Sequence, residues 1–381
     1  METCRFVRTL ICESLAMQPS ILVCCVVLLF ACGMGSQAIG QSLALPAAPQ
    51  GVQTFEAQGF QFVRVHVDNV QAFPARPETH PIARPFGGGS WDFGIARTEI
   101  TQGQAIELPN AFYDVPVPSD QPWSFSLGNV VNGLGAIGPG IFGSDLGPQG
   151  RRLWFATPEG ENRPVPSATG FFHAAVYCNW LHNNKQATVD ALLTGAYDLR
   201  GWDDQQATTW MAVTRSPTAR FFLPTYDEWA VATFYDPNRN GTGGWWQSMY
   251  GRDRLPIGGA PGVGETSVGW EVPGDPFAAL RLPVAAYGDQ QSPWGLFDTS
   301  GTGSEYLQTP EPFAASSYMS AGSPAGSTNF DYQRLDLAGY YFSGTGGGTF
   351  RVGTSIPSPI TIVVLGASVI FSQRRRERYF A

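Results

Sequence analysis

Oxygen-bearing side chains at alternate positions form the sharpest chemical pattern in this chain. Asp236-Pro237-Asn238-Arg239-Asn240-Gly241 places them at every second residue and a glycine sixth. This is the first half of a calcium loop, in which alternate oxygens converge on one ion and the glycine permits a sharp turn. The twelfth position, which supplies a bidentate carboxylate in such loops, is Gln247. One carboxylate predicts weak calcium binding, of the kind that fills where calcium is millimolar. The same residues also spell an Asp/Asn/Gly turn with no ion.

Other chemistry has fewer candidates. Of the cysteines, Cys4, Cys12, Cys24, Cys25 and Cys32 crowd the start of the chain and Cys178 stands alone in the body. A single thiol builds neither an internal disulfide nor a thiolate metal cage. The histidines are His66, His80, His173 and His182. The last two would point to opposite sides of one helix, so they share no metal. There is no Walker loop and no G-x-S-x-G elbow. Gly344–Gly348 lacks phosphate-binding spacing and reads as a loop. Asp203-Asp204 reads as a solvated pair.

The elements that must position these residues are short. Hydrophobic residues at 43% allow a sizeable core, while 45 glycines and 30 prolines demand many turns. That composition predicts a single irregular, loop-rich α+β domain. Phe60-Gln61-Phe62-Val63-Arg64-Val65-His66-Val67 alternates as a half-buried strand does, and Trp91–Ala96 is a second strand. Residues 114–166 read as a long Gly/Pro-rich surface excursion. A helix is predicted over Phe171–Asn183, capped by Ser167 or Thr169 and apolar on almost every side, hence buried. A second begins at Thr225, where Thr225-Tyr226-Asp227-Glu228 spells a capping box, and runs to about Tyr235. Brief strands are expected at Leu282–Tyr287 and Thr349–Val352.

Charge narrows the partners. The formal net charge is −8, and residues 41–353 carry 17 basic against 28 acidic side chains. Such a body repels phosphate backbones, which excludes nucleic acid as a partner. The aromatic Trp245-Trp246 and Trp270 could contact a glycan or a partner protein, or pack in the core.

Both ends read as addresses. Arg5 and Arg8, an apolar run from Ile21 to Ala31 and a small-residue exit make residues 1–40 a secretory signal peptide. A retained anchor is the alternative, and Leu29-Phe30-Ala31-Cys32 also resembles a lipoprotein cleavage box. Residues 41–59 read as a linker. From residue 354 the chain reads Ile356-Pro357-Ser358-Pro359, apolar Ile360–Phe371 and then Arg374-Arg375-Arg376. This resembles the PEP-CTERM sorting tail of Gram-negative bacteria, with Ser358 where glutamate is usual. Such a tail implies export to the periplasm, outer surface or extracellular matrix. An apolar helix of that length spans about 18 Å, short of a ~30 Å hydrocarbon core, so the membrane hold is transient. The arginines stay cytoplasmic. An ordinary terminal strand with a basic end is the alternative.

Five blocks then fall in a familiar order. Arg97-Thr98-Glu99-Ile100-Thr101 resembles "k-x-E-V-T-N", and Ala174–Leu181 resembles "D-A-x-x-Y-C-N-W-L". Phe222–Trp229 resembles "R-L-P-T-E-x-E-W", Trp294–Gly301 resembles "W-G-L-x-D-M-x-G", and Phe350-Arg351-Val352 resembles "G-F-R-V". Together, over residues 60–353, the chain resembles the formylglycine-generating enzyme (sulfatase-modifying factor) domain. The resemblance implies a fold related to the C-type lectins. It also implies a structural calcium near the family's W-E-W block, to which Glu305 could still donate a carboxylate. Thr302 and Ser304 replace that block's Asn and Trp, and a surface acid at a turn is the other reading of Glu305. The family's oxidases hold copper(I) between two thiolates, and Leu307–Thr349, where those cysteines belong, contains none. Copper is therefore not expected, because soft copper(I) needs both thiolates. The resulting expectation is an exported, non-catalytic binding or scaffold module of the bacterial envelope. A divergent formylglycine-generating oxidase and a purely structural envelope protein are the alternatives.

Overall fold

Strand β1 (Thr54–Ala57) forms inside the stretch read as a linker and pairs with β2 (Phe60–Val70) across a tight turn at Gln58 and Gly59, both at positive φ. The computed structural model describes residues 43–74, 84–117, 140–147, 150–165, 170–201, 213–273, 275, 278–310, 318–324, 327–335 and 348–356. The expected leader, the tail beyond residue 356, Ser167, Thr169, Asp203-Asp204 and Gly344–Gly347 lie outside these residues, as does 118–139 of the Gly/Pro-rich excursion. All the elements described here belong to the unit Ala44–Ala381.

β2 carries out its alternation. Phe60, Phe62, Val63 and Val65 are buried while His66 is exposed. It pairs with β3 (Gly89–Ala96), whose buried end, Phe93–Ala96, enters the core. Helix α1 (Gln102–Ala111) follows, closed by a Thr101–Gln104 capping box. Next come the small ribbon β4 (Ile141–Gly143) and β5 (Trp154–Ala156), and the single turn α2 (Pro158–Glu161). Helix α3 (Phe171–His182) is buried at every residue but its last. Its N-cap is Gly170, whose amide donates to His173 Nδ1 at 3.3 Å. After α4 (Val189–Leu193) and β6 (Phe221–Phe222) comes α5 (Tyr226–Phe234), begun by the predicted capping box. Thr225 Oγ1 accepts from the Glu228 amide at 3.2 Å, and Glu228 Oε2 accepts from the Thr225 amide at 2.8 Å.

The chain then makes the hairpin β7 (Tyr235–Asp236) and β8 (Gly244–Trp245), followed by β9 (Ser304–Pro310), β10 (Tyr318–Ala321), β11 (Gly348–Phe350) and β12 (Gly353–Ser355). One sheet has the order β1-β2-β3-β12-β6 and a second β10-β9-β11. The architecture is mixed α and β, with few helices and several small sheets. Among the described residues no helix is long and apolar enough to cross a membrane.

Two expectations change, and one helix was not foreseen. Leu282–Tyr287 is not a strand: a 3-10 turn ends at Arg281, Pro283 has no amide to donate to a ladder, and Ala285 sits at φ 59°. The strand expected at Thr349–Val352 is split, because β11 joins β9 while β12 joins β3 and β6. Between them, Arg351 turns inward. Helix α1 carried no clear apolar period, since its glycine, two glutamines and internal Pro109 blur it.

Candidate functional site

The two carboxylate positions singled out in the sequence fall in contrasting environments. Asp236 and Asn238 belong to the β7–β8 hairpin and line an open groove of about 590 Å³. Opposite them stand Pro49–Val52, and Trp246, Pro293 and Trp294 add apolar surface. His66, exposed at the middle of β2, reaches the same groove.

The hairpin is tied within itself. Asp236 Oδ1 accepts from the Asn238 amide at 2.8 Å, an Asx turn, and Oδ2 accepts from Trp246 Nε1 at 3.2 Å. Arg239 lies 4.1 Å over the Trp246 ring and donates to Asp253 at 2.7 Å. Asn240, at φ 55°, is exposed at the tip beside Gly241 at φ 76°. Turn chemistry therefore accounts for Asp, Asn and Gly in this order. Both Asp236 oxygens have donors, and Arg239 places a positive charge in the same loop. Its neighbour Trp245 has a packing role: the ring meets Phe73, Phe86 and Tyr235, and its Nε1 donates to Gln71 O at 2.8 Å.

Glu305 is at a different place, and it is no surface acid. It lies on β9 with no solvent exposure and grips Arg351 at both ends: Nε donates to Oε2 at 3.0 Å and Nη2 to Oε1 at 2.8 Å. The remaining Arg351 donors reach Ala96 O at 2.9 Å and Phe297 O at 2.7 Å. Two more acids surround the pair. Glu99 is fully buried and accepts from Thr302 Oγ1 at 2.7 Å; Asp298 is buried at φ 52° and accepts from the Ala285 amide. Burial, reinforced by the charges of Glu305 and Asp298, pushes the Glu99 carboxyl well above its usual range. Burial pushes Asp298 up to about 6, against the pull of the Ala285 amide and Arg351. One guanidinium cannot neutralise three carboxylates, so the cluster holds protons where a surface acid would release them.

Glu99 and Asp298 carry no flag in the sequence beyond their place in the family-like blocks, yet those blocks converge here. Residues from Arg97–Thr101, Trp294–Gly301 and Phe350–Val352 all supply the cluster. The groove residues His66, Gln291 and Trp294 gave no advance signal as a group, because they come from segments far apart in the chain.

Cys178 is fully buried on α3, and burial pushes its thiol far above the usual range. Such a thiol stays protonated, which makes it neither nucleophile nor soft-metal ligand. His173 is buried and held down to about 4, and His182 accepts from the Arg220 amide at 3.0 Å. Among the described residues no group of three or more His, Cys, Asp or Glu side chains is placed to hold a metal ion.

No protein-family model matches the chain, and no curated protein matches it. Among solved structures, Treponema denticola variable protein 1 is similar at 18% sequence identity, over 80% of this chain and 99% of that one, with a TM-score of 0.41.

Proposed function

We propose that this chain is an exported, non-catalytic binding or scaffold module of the bacterial envelope. Its domain resembles the formylglycine-generating enzymes, and through them the C-type lectin fold. The observation that carries the binding role is the open groove beside the β7–β8 hairpin, where Trp246 is braced by Asp236 and Arg239 at the edge of a preformed concavity. Aromatic surface with a few fixed polar groups is what small-molecule and peptide sites offer. The ligand is a glycan or a partner protein. The signal-like start and arginine-ended tail support export with a transient membrane hold.

The divergent-oxidase reading requires two copper-binding thiolates. The body contributes only Cys178, sealed in the core and protonated. Calcium at Asp236, Asn238 and Asn240 takes a narrow form, since an ion there must compete with the Asn238 amide and the Trp246 indole. At Glu305 it must compete with a guanidinium.

The test is direct. The exported chain should bind members of a glycan array or an envelope protein, and Trp246→Ala should abolish that binding while leaving the melting temperature within a few degrees. A panel with no Trp246-dependent ligand would remove the proposal. Oxygen-dependent aldehyde formation on a sulfatase-type cysteine peptide would replace it with the oxidase.

A further inference from the structure

Residues 44–53 form a strap that lies on the domain without forming helix or strand. Its sequence is Ala44-Leu45-Pro46-Ala47-Ala48-Pro49-Gln50-Gly51-Val52-Gln53. Side chains of the domain hold it by its backbone carbonyls. Arg97 Nη2 donates to Pro46 O at 2.7 Å and Gln291 Nε2 donates to Ala47 O at 3.1 Å. The same Arg97 nitrogen also donates to Gln291 Oε1 at 3.3 Å, so one Arg–Gln unit reads two consecutive carbonyls. Arg97 Nε donates to Gly295 O at 3.1 Å and the guanidinium lies 5.0 Å from the Phe297 ring centre. Arg97 is buried, and among the described residues it has no carboxylate partner.

The strap packs most closely over Gly295. A Cβ at Gly295 would meet Pro49 Cδ at 2.9 Å and Ala48 Cβ at 3.2 Å. A Cβ at Gly288 would sit 3.5 Å from Pro46 Cγ. Pro46 and Pro49 stand three apart; at Pro49 the strap turns, the Val52 amide donating to Pro49 O at 3.1 Å with Gly51 at φ 86°. Proline-rich segments dock in aromatic-lined grooves, and the groove that Pro49 borders carries Trp246 and Trp294. Apart from the Ala48 methyl, the contacts named here read backbone or a proline ring, groups that other proline-containing segments share. The strap also forms one wall of the groove, whose other walls carry Trp246, Pro293 and Trp294.

We propose that this face is a docking surface for proline-containing peptide segments of a partner protein, occupied in cis by the chain's own Ala44–Gln53. A partner segment displaces the strap, takes the Arg97–Gln291 donors and the seats over Gly288 and Gly295, and extends into the aromatic groove. The proposal rests on the reading of this side of the molecule as a binding face, and it chooses a peptide over a glycan.

A labelled peptide of residues 44–53, titrated into the whole exported chain, tests it. The tethered strap competes at roughly millimolar effective concentration, so the unaltered chain should take up peptide only in that range. The Pro46→Gly, Pro49→Gly chain, whose own strap is weakened, should bind it about tenfold more tightly. A peptide with both prolines replaced by glycine should not bind. On the unaltered chain, a photo-crosslinking form of the peptide at millimolar concentration should attach within residues 288–297. Absence of crosslinking there, or equal uptake of the glycine peptide, would overturn the proposal whatever the folding of the variant. A Trp246-dependent glycan ligand without peptide uptake would remove this inference and leave the binding module standing.

Discussion

Asp236 and Glu305 are both acids that a sequence can nominate for the same hard cation, and the fold uses them in opposite ways. Asp236 sits at the rim of a groove and spends its oxygens on an amide and an indole. Glu305 is sealed from solvent and clamps the buried Arg351. The difference is solvation. At the rim, water shares the charge, so the carboxylate organises a turn and its loss is cheap. In the core, a lone charge has no such help, and every neighbouring acid adds to the burden.

The comparison breaks most sharply at Arg351. Arg351→Ala leaves Glu305 buried without its cation and strands the carbonyls of Ala96 and Phe297. Breaking a buried pair this way costs about 3–5 kcal/mol, a large part of the ~5–15 kcal/mol that holds a domain folded. Urea unfolding should show that loss. Arg351→Met combined with Glu305→Leu should recover much of it, because no unpaired charge of the original pair remains. If the single variant unfolds at the unaltered midpoint, the cluster is not what holds β11, β9 and β3 together.

A pH series sharpens the same contrast. Asp298 is raised to about 6 from an ordinary 3.8, and Glu99 is raised well above 4.5. A raised acid favours folding most below its unfolded value, and that contribution is lost as pH climbs through the folded value. For Asp298 the loss between about pH 4 and pH 7 is on the order of 3 kcal/mol. Glu265 acts oppositely: its bonds from Arg254 and Arg252 and the Ile257 amide hold it down to about 2. Its contribution is present above its ordinary value and fades as pH falls toward 2. His173, buried and held down to about 4, works against Asp298 over the same range, because its contribution is lost as pH falls from 6.5 toward 4. The cluster is therefore read by difference: between about pH 4 and pH 7 the stability of Asp298→Asn should gain on that of the unaltered chain. Parallel pH profiles for the two chains would contradict the cluster's protonation.

At the rim, Asp236→Ala removes an Asx turn and an indole acceptor, each replaceable by water. The expected loss is about 1 kcal/mol, measurable by the same urea curves, with the larger effect on ligand binding because Trp246 loses its brace. A loss as great as that of Arg351→Ala would erase the distinction between rim and core.

How much of this could be read from the chain follows the same division. Local grammar was legible: the Thr225–Glu228 capping box, the alternation of β2 and the all-round apolarity of α3 depend on residues close in sequence. Pairing across long distances was not. Glu305 finds Arg351 just past the end of β11, and Gln291 finds Ala47 on the strap, with nothing local to announce either. Helix α1 hid behind Pro109 and Gly103, and the 282–287 segment carried strand-forming residues defeated by Pro283 and the positive φ of Ala285. The D-x-N-x-N-G pattern was visible, but its letters are shared by ion loops and hairpin turns.

That last ambiguity gives the smallest effect and a clean readout. Trp246 donates to the very carboxylate that calcium would have to take, so its fluorescence reports on Asp236. The hairpin already satisfies both oxygens, and position twelve lacks a carboxylate. Millimolar calcium should therefore leave both the tryptophan emission and the melting temperature unchanged, since only a ligand that prefers the folded state shifts stability. A saturable emission change that Asp236→Asn abolishes would instead show that the ion outcompetes the Asx turn. The rim acid would then have the hard-cation role that the buried one, locked to its guanidinium, cannot take.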